Sequence, residues 1–151
     1  MWDYALIAWE RPGVREACLD LQDHDGQCVP LLLWRAWAAA EGRRIDQGRL
    51  DAALLLAHTW EPEIIAPLRT ARRALDKTSM ELIGGATQRL RQAVRTSELE
   101  AERALLETLE TSSPSSSGAE GDLAQQLADL MQAWNGHKAR AAARDLAAAL
   151  A

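Results

Sequence analysis

Apolar residues return at helical spacing almost from the start of the chain, and that recurrence restricts it to helices. Trp2, Ala5, Leu6 and Trp9 fall at i, i+3, i+4 and i+7, which is one face of a helix. Val14, Ala17, Cys18 and Leu21 repeat the stripe, and Val29, Leu32, Leu33, Ala36, Trp37 and Ala40 repeat it again. No second period competes. Runs of β-branched and aromatic residues, which suit a pleated surface, are nearly absent. The apolar content is largely Ala and Leu, which lose little side-chain freedom in a helix. The expected fold is all-α.

Punctuation divides the stripes into elements. Arg11-Pro12-Gly13 separates a first helix, Trp2 to Trp9, from a second at about Gly13 to Asp23. Asp23-His24-Asp25-Gly26 is a turn cluster. A third helix runs from about Pro30 to Glu41, with Leu31 and Trp34 widening its apolar face, and Gly42 ends it. Asp46 is placed to cap a fourth helix through Leu50, Leu54 and Ala57. Trp60-Glu61-Pro62 is expected to break or kink the path before a fifth helix with Ile64, Ile65, Leu68, Ala71 and Leu75 on its apolar side. Five of the six tryptophans (Trp2, Trp9, Trp34, Trp37 and Trp60) lie in this part, and Phe is absent, so the core is placed here.

The expected organisation is a compact bundle of about five short helices at residues 1–78, then a long polar helical arm at 79–110. A flexible Ser-rich linker at 111–121 and a C-terminal helical tail at 122–151 follow. The arm has a thin seam of Ile83, Leu90, Val94, Ala101, Leu105 and Leu109, with fraying expected at Gly84-Gly85. In the tail, Asp122 is placed to cap a helix carrying Leu123, Leu127, Leu130, Met131 and Trp134. An amphipathic helix on such a tether suits docking into a partner groove, and equally suits folding back onto its own domain.

Charge is segregated. Residues 69–95 hold seven basic and two acidic groups, whereas residues 96–122 hold one basic and seven acidic, within a chain of net charge −5. The run Arg69, Arg72, Arg73, Lys77, Arg89, Arg91 and Arg95 has no interleaved aromatics for base stacking. Pairing with neighbouring acidic residues is expected over a nucleic-acid surface. The N-terminus lacks a basic n-region and the apolar stretch around Val29 to Ala40 is too short to span a bilayer, so a cytoplasmic protein without membrane contact is expected.

Chemistry-bearing candidates are few. Asp20, Asp23, His24 and Asp25, with Trp34 and Arg15 or Arg35, make a possible ligand, metal or general-base site, because Asp20 and Asp23 share one side of a helix end. It does not match a calcium loop: with Gly26 on the required glycine, Leu21 and Leu32 take the first and last ligand positions. Cys18 and Cys28 form no CxxC pair and read as core thiols. No phosphate-binding loop, nucleophile elbow or HExxH motif is present, and no cofactor is called for. These readings point to a non-catalytic interaction or adaptor protein with an unidentified protein partner, homo-oligomerisation remaining open. The alternative is a small-ligand or metal-binding bundle, with or without activity, built on Asp20–Asp25.

One stretch carries a resemblance. Trp2, Ala5, Arg11-Pro12-Gly13-Val14, Ala17-Cys18-Leu19, Leu21-Gln22-Asp23, Gly26, Val29, Leu31-Leu32-Leu33 and Trp37 resemble an uncharacterised bacterial family, domain of unknown function 2390. Trp60 and Pro67-Leu68-Arg69 extend the likeness over roughly the first half of the chain. The resemblance implies a cytoplasmic bacterial protein and carries over no activity, substrate or catalytic residue.

Overall fold

The computed structural model describes residues 1–78, 80–113, 121–136 and 139–151, and the regular structure among them is entirely helical. The elements are α1 (Trp2–Trp9), α2 (Val14–His24), α3 (Val29–Ala40), α4 (Gln47–Trp60), α5 (Ala66–Lys77), α6 (Ala86–Ser112), α7 (Leu123–Asn135) and α8 (Arg140–Leu150). A π-helical turn, Glu61–Ile65, joins α4 to α5, and a 3-10 turn, Ile83–Gly85, leads into α6.

Helix α3 is the centre, with ten of its twelve residues buried. It packs against α1, α2, α6 and α7. Its apolar run is wide enough to meet neighbours on every side, which is the property of a helix that is hydrophobic all round. Three indoles are also pinned by hydrogen bonds. Trp34 donates to Ser113 Oγ (2.9 Å), Trp60 to the Ala101 carbonyl (2.9 Å) and Trp134 to the Gly26 carbonyl (2.9 Å). Each bond joins elements far apart in sequence.

Of the break or kink expected at Trp60-Glu61-Pro62, the break does not occur. Helix continues from Gln47 to Lys77, widened by one π turn in which the Ala66 N–H reaches the Glu61 carbonyl five residues back. Pro62 and Pro67 flank that bond. Neither proline has an N–H, so each would leave a carbonyl one turn earlier without its partner, and a wider turn is one way a helix accommodates this.

The long helix also departs from expectation. Of the expected span 79–110, Ser79 lies outside the described residues, residues 80–82 are non-helical, and α6 proper starts at Ala86 and reaches Ser112. Gly84 and Gly85 both take left-handed φ values, 67° and 69°, which a side-chain-bearing residue adopts only with strain. They are a deliberate bend between α5 and α6, not frayed helix. Nor is α6 a projecting arm along its whole length. Ala101, Leu105, Leu106 and Leu109 are buried in the common core, and only the N-terminal half of the seam, Ile83 and Leu90, faces solvent.

Helices α7 and α8 pack on each other, α7 also on α3 and α8 on α2. Leu127, Leu130, Met131, Ala143, Leu146 and Leu150 are buried there. Each large side chain gains roughly 1.5–3 kcal/mol on leaving water, which favours docking over a solvated tether. Gly13, at φ 84°, lets α2 begin against Ala149 of α8, 3.7 Å from where a Cβ would stand. Arg11 ties the same corner by donating to the Leu150 carbonyl. Of the expected linker 111–121, Thr111 and Ser112 are helical, Ser113 caps toward Trp34, and residues 114–120 lie outside the described set.

Candidate functional site

The Asp20–Asp25 cluster does not converge on a ligand position. His24 Nδ1 and Asp20 Oδ1 lie 2.8 Å apart on the exposed side of α2. Asp23 instead accepts from Arg73 of α5, and the Asp25 carbonyl accepts from Asn135 of α7 (2.6 Å). The turn is thus a joint between α2, α5 and α7. Trp34 is elsewhere, 1% exposed in the core. Arg15 is exposed on α2 and Arg35 is buried on α3. Among the described residues no group of three or more His, Cys, Asp or Glu side chains is arranged to hold a metal ion.

The partner-docking candidates on α7 are turned inward. Leu127, Leu130 and Met131 are buried, Leu123 is half-buried, and Trp134 stacks on His58 at 4.1 Å between ring centroids. The apolar face that suited a foreign groove is occupied by this chain's own helices.

Both thiols are interior. Burial pushes Cys18 up to about 12, and burial, reinforced by the nearby Glu61 carboxylate, raises Cys28 as well. Neither is a thiolate at neutral pH, so neither is a ready nucleophile.

The basic run is largely paired, as the acidic residues flanking it in the sequence suggest. Arg73 meets Asp23, Arg91 meets Glu81 and Arg95 meets Asp76. The deepest pairs form a buried network between the π turn, α5 and α6. Arg69 meets Glu61 (2.6 Å), Glu98 (3.4 Å) and Glu102 (3.4 Å), and Arg72 meets Glu98 (2.5 Å) and Asp76 (3.5 Å). The basic and acidic blocks lie antiparallel on α5 and α6, which is why their charges meet in order. Burial pushes the Glu102 carboxyl up to about 7; Arg69 pulls it down, while Glu98 and Glu61 push it further up.

Beside this network lies a cavity of about 300 Å³, at the lower end of the range for small-molecule sites. Trp2, Leu6 and Trp9 of α1 and Leu33 of α3 form its apolar wall, and Glu98 and Glu102 of α6 face Arg69 and Arg72 across its charged end. Sequence reasoning missed it, because Glu98 and Glu102 lay within a stretch read as a polar helical arm following the core.

A second feature stands at the far end of the α5–α6 hairpin. Ile83 is 98% exposed, Met80 71%, Leu82 53% and Leu90 47%. The segment is nonetheless built. Arg91 donates to the Leu75 carbonyl (2.8 Å) and the Thr78 carbonyl (2.8 Å), closing the end of α5. Buried Thr87 accepts from the Leu82 N–H (2.9 Å). Lys77 and Arg89 flank the apolar tip and are exposed.

The family model described as "Protein of unknown function (DUF2390)" matches residues 1–109, so the chain belongs to that family. The match covers α1 to α5 and nearly all of α6, and therefore both the cavity and the hairpin tip. No curated protein and no solved structure matches the chain.

Proposed function

We propose that this member of the family is a non-catalytic helical interaction protein, and that it engages a protein partner through the tip of the α5–α6 hairpin. The observation that carries the reading is the display of Ile83, Met80, Leu82 and Leu90 on a segment held by Arg91 and Thr87. Large apolar side chains shown together on an ordered loop lose little freedom on association, so contact with a complementary surface is favoured. Lys77 and Arg89 beside them fit a partner whose apolar recess has an acidic rim. The close pairing of Arg69 with Glu61 and of Arg72 with Glu98 supports the non-catalytic half of the reading, since those groups are engaged with one another.

Removing residues 111–151 is not a clean test, because it strips α7 from α3 and α8 from α2. The informative comparison is wild type against Ile83→Asp, with Leu55→Asp as an exposed apolar control on α4. A photo-crosslinker placed at position 82 should capture one protein in native extract, at a stoichiometry that survives Leu55→Asp and is lost with Ile83→Asp. Capture that is indifferent to Ile83→Asp would overturn the proposal. So would Ile83-dependent binding to anionic vesicles with no protein captured.

A further inference from the structure

The cavity stands apart from the hairpin tip and its chemistry is specific. Four carboxylates, Glu61, Asp76, Glu98 and Glu102, meet three guanidiniums, Arg69, Arg72 and Arg95. Arg72 and Arg95 are held at 2.5–2.8 Å by Glu98 and Asp76. Among the described residues Glu102 has only Arg69 as an ion-pair partner, at 3.4 Å, and that arginine sits closer to Glu61. Arg69, Arg72 and Arg95 line the cavity too, each held by a carboxylate at 2.5–2.8 Å, so the least compensated charge on its wall is that of Glu102.

We propose that the cavity binds a small primary amine carrying an apolar body, with the ammonium on the cavity side of the Glu102 carboxylate and the body against Trp9, Leu6 and Leu33. An ammonium supplies the positive charge that the network lacks. The indoles of Trp2 and Trp9 on the opposite wall favour a cation and an aromatic or aliphatic body alike. A carboxylate ligand has the opposite balance. It would have to draw Arg72 or Arg95 from a carboxylate already paired at short distance, leaving that group without its counter-ion.

A proton competes with the ammonium for Glu102. The groups facing it are Arg69 and Arg72 from α5, Glu61 from the π turn, Glu98 and Arg95 on α6 and the Cys28 thiol ahead of α3; α1 brings only the uncharged Trp2, Ala5, Leu6 and Trp9. Raising the pH through neutrality removes the proton from Glu102 while an alkyl amine stays charged, so amine affinity rises with pH.

The test uses two probes of one skeleton, phenethylamine and 3-phenylpropionate, titrated calorimetrically into the full chain. At pH 8 the amine is expected to bind one-to-one and the carboxylate not to bind. Amine affinity should fall roughly tenfold or more between pH 8 and pH 5 as Glu102 is protonated. Glu102→Gln leaves Arg69 with Glu61 and Glu98, and should lose roughly tenfold in affinity at pH 8 together with the pH dependence. Binding of the carboxylate as tightly as the amine would overturn the proposal. So would no amine binding at millimolar concentration, or unchanged affinity in Glu102→Gln. The pH series on the native protein decides the matter even if the variant folds poorly.

Discussion

Replacing Glu102 by glutamine should make the protein more stable at alkaline pH, although the change removes half of an ion pair. The two opposing effects are attraction to Arg69, at 3.4 Å, and the loss of water around a carboxylate whose side chain is 26% exposed. The outcome is recorded in the carboxyl's rise from 4.5 to about 7, caused chiefly by burial. That rise corresponds to roughly 3 kcal/mol at 1.36 kcal/mol per tenfold change in the proton equilibrium. Residual solvent contact and relaxation reduce it to about 1–2 kcal/mol. The folded chain holds this proton more tightly than the unfolded chain does. Stability from this group is therefore greatest below about 4.5, falls as pH rises from there through about 7, and is level above. Glutamine mimics the protonated form at every pH. Denaturation in guanidinium chloride, followed by tryptophan fluorescence, should show the two proteins alike at pH 4. At pH 8 Glu102→Gln should be ahead by about 1–2 kcal/mol, or roughly 4 °C in Tm. Carboxylates remote from Glu102 titrate alike in both proteins and cancel in the difference. A variant less stable than wild type at pH 8 would show that the Arg69 attraction outweighs desolvation, and the reasoning about surplus charge would fall with it.

Further outcomes follow from the packing. Leu127→Ala and Met131→Ala should each cost about 2–4 kcal/mol by the same denaturation assay, since both side chains are fully buried against α3 and α8; a loss below about 0.5 kcal/mol would mean that α7 is not part of the core. Cys18 and Cys28 should resist a thiol reagent such as DTNB at pH 8 in the native protein and react together in denaturant, and native reactivity of either would contradict the burial that raises both thiols. Arg91→Ala removes two hydrogen bonds that close α5, and should speed amide hydrogen exchange at Leu82 while shifting global stability by only about 1–2 kcal/mol. Protection unchanged at Leu82 would show that the tip is held by other means.

Helix identity was legible because apolar spacing and caps are local properties. Trp2–Trp9 and the Asp46 and Asp122 caps stand where the pattern places them, with Asp46 accepting from the Arg49 N–H and Asp122 from the Ala124 N–H. The family resemblance over the first half was legible too, and the family match extends to residue 109. What the pattern misplaced depends on tertiary contact. Trp60-Glu61-Pro62 read as a break or a kink because local rules do not anticipate a π turn packed against α6. Pairing of the basic run with flanking acidic residues was legible, but not that Glu98 and Glu102 are the partners, because sequence does not tell which side of α6 meets Arg69 and Arg72. Trp34 seemed available to a ligand, yet its indole is sealed by Ser113, 79 residues away.

The π turn and the hairpin bend together account for where the two candidate sites lie. The π turn carries Glu61 to within 2.6 Å of Arg69, eight residues on, so that Arg69 has one close partner before α6 contributes a second and third carboxylate. The left-handed pair Gly84 and Gly85 then returns the chain so that α6 runs back along α5, with Glu98 and Glu102 against Arg69 and Arg72 and Arg95 against Asp76. Register is thereby set by charge in the middle of the hairpin, where Arg72 meets Glu98, and the two ends are released for different uses. Toward the core the extra carboxylate faces an apolar wall that includes Trp2 and Trp9, and at the bend the apolar residues have no helix left to cover them. A change at Arg72 or Glu98 would loosen both ends together, whereas Glu102→Gln and Ile83→Asp each reach only one, which is why those two substitutions separate the proposals.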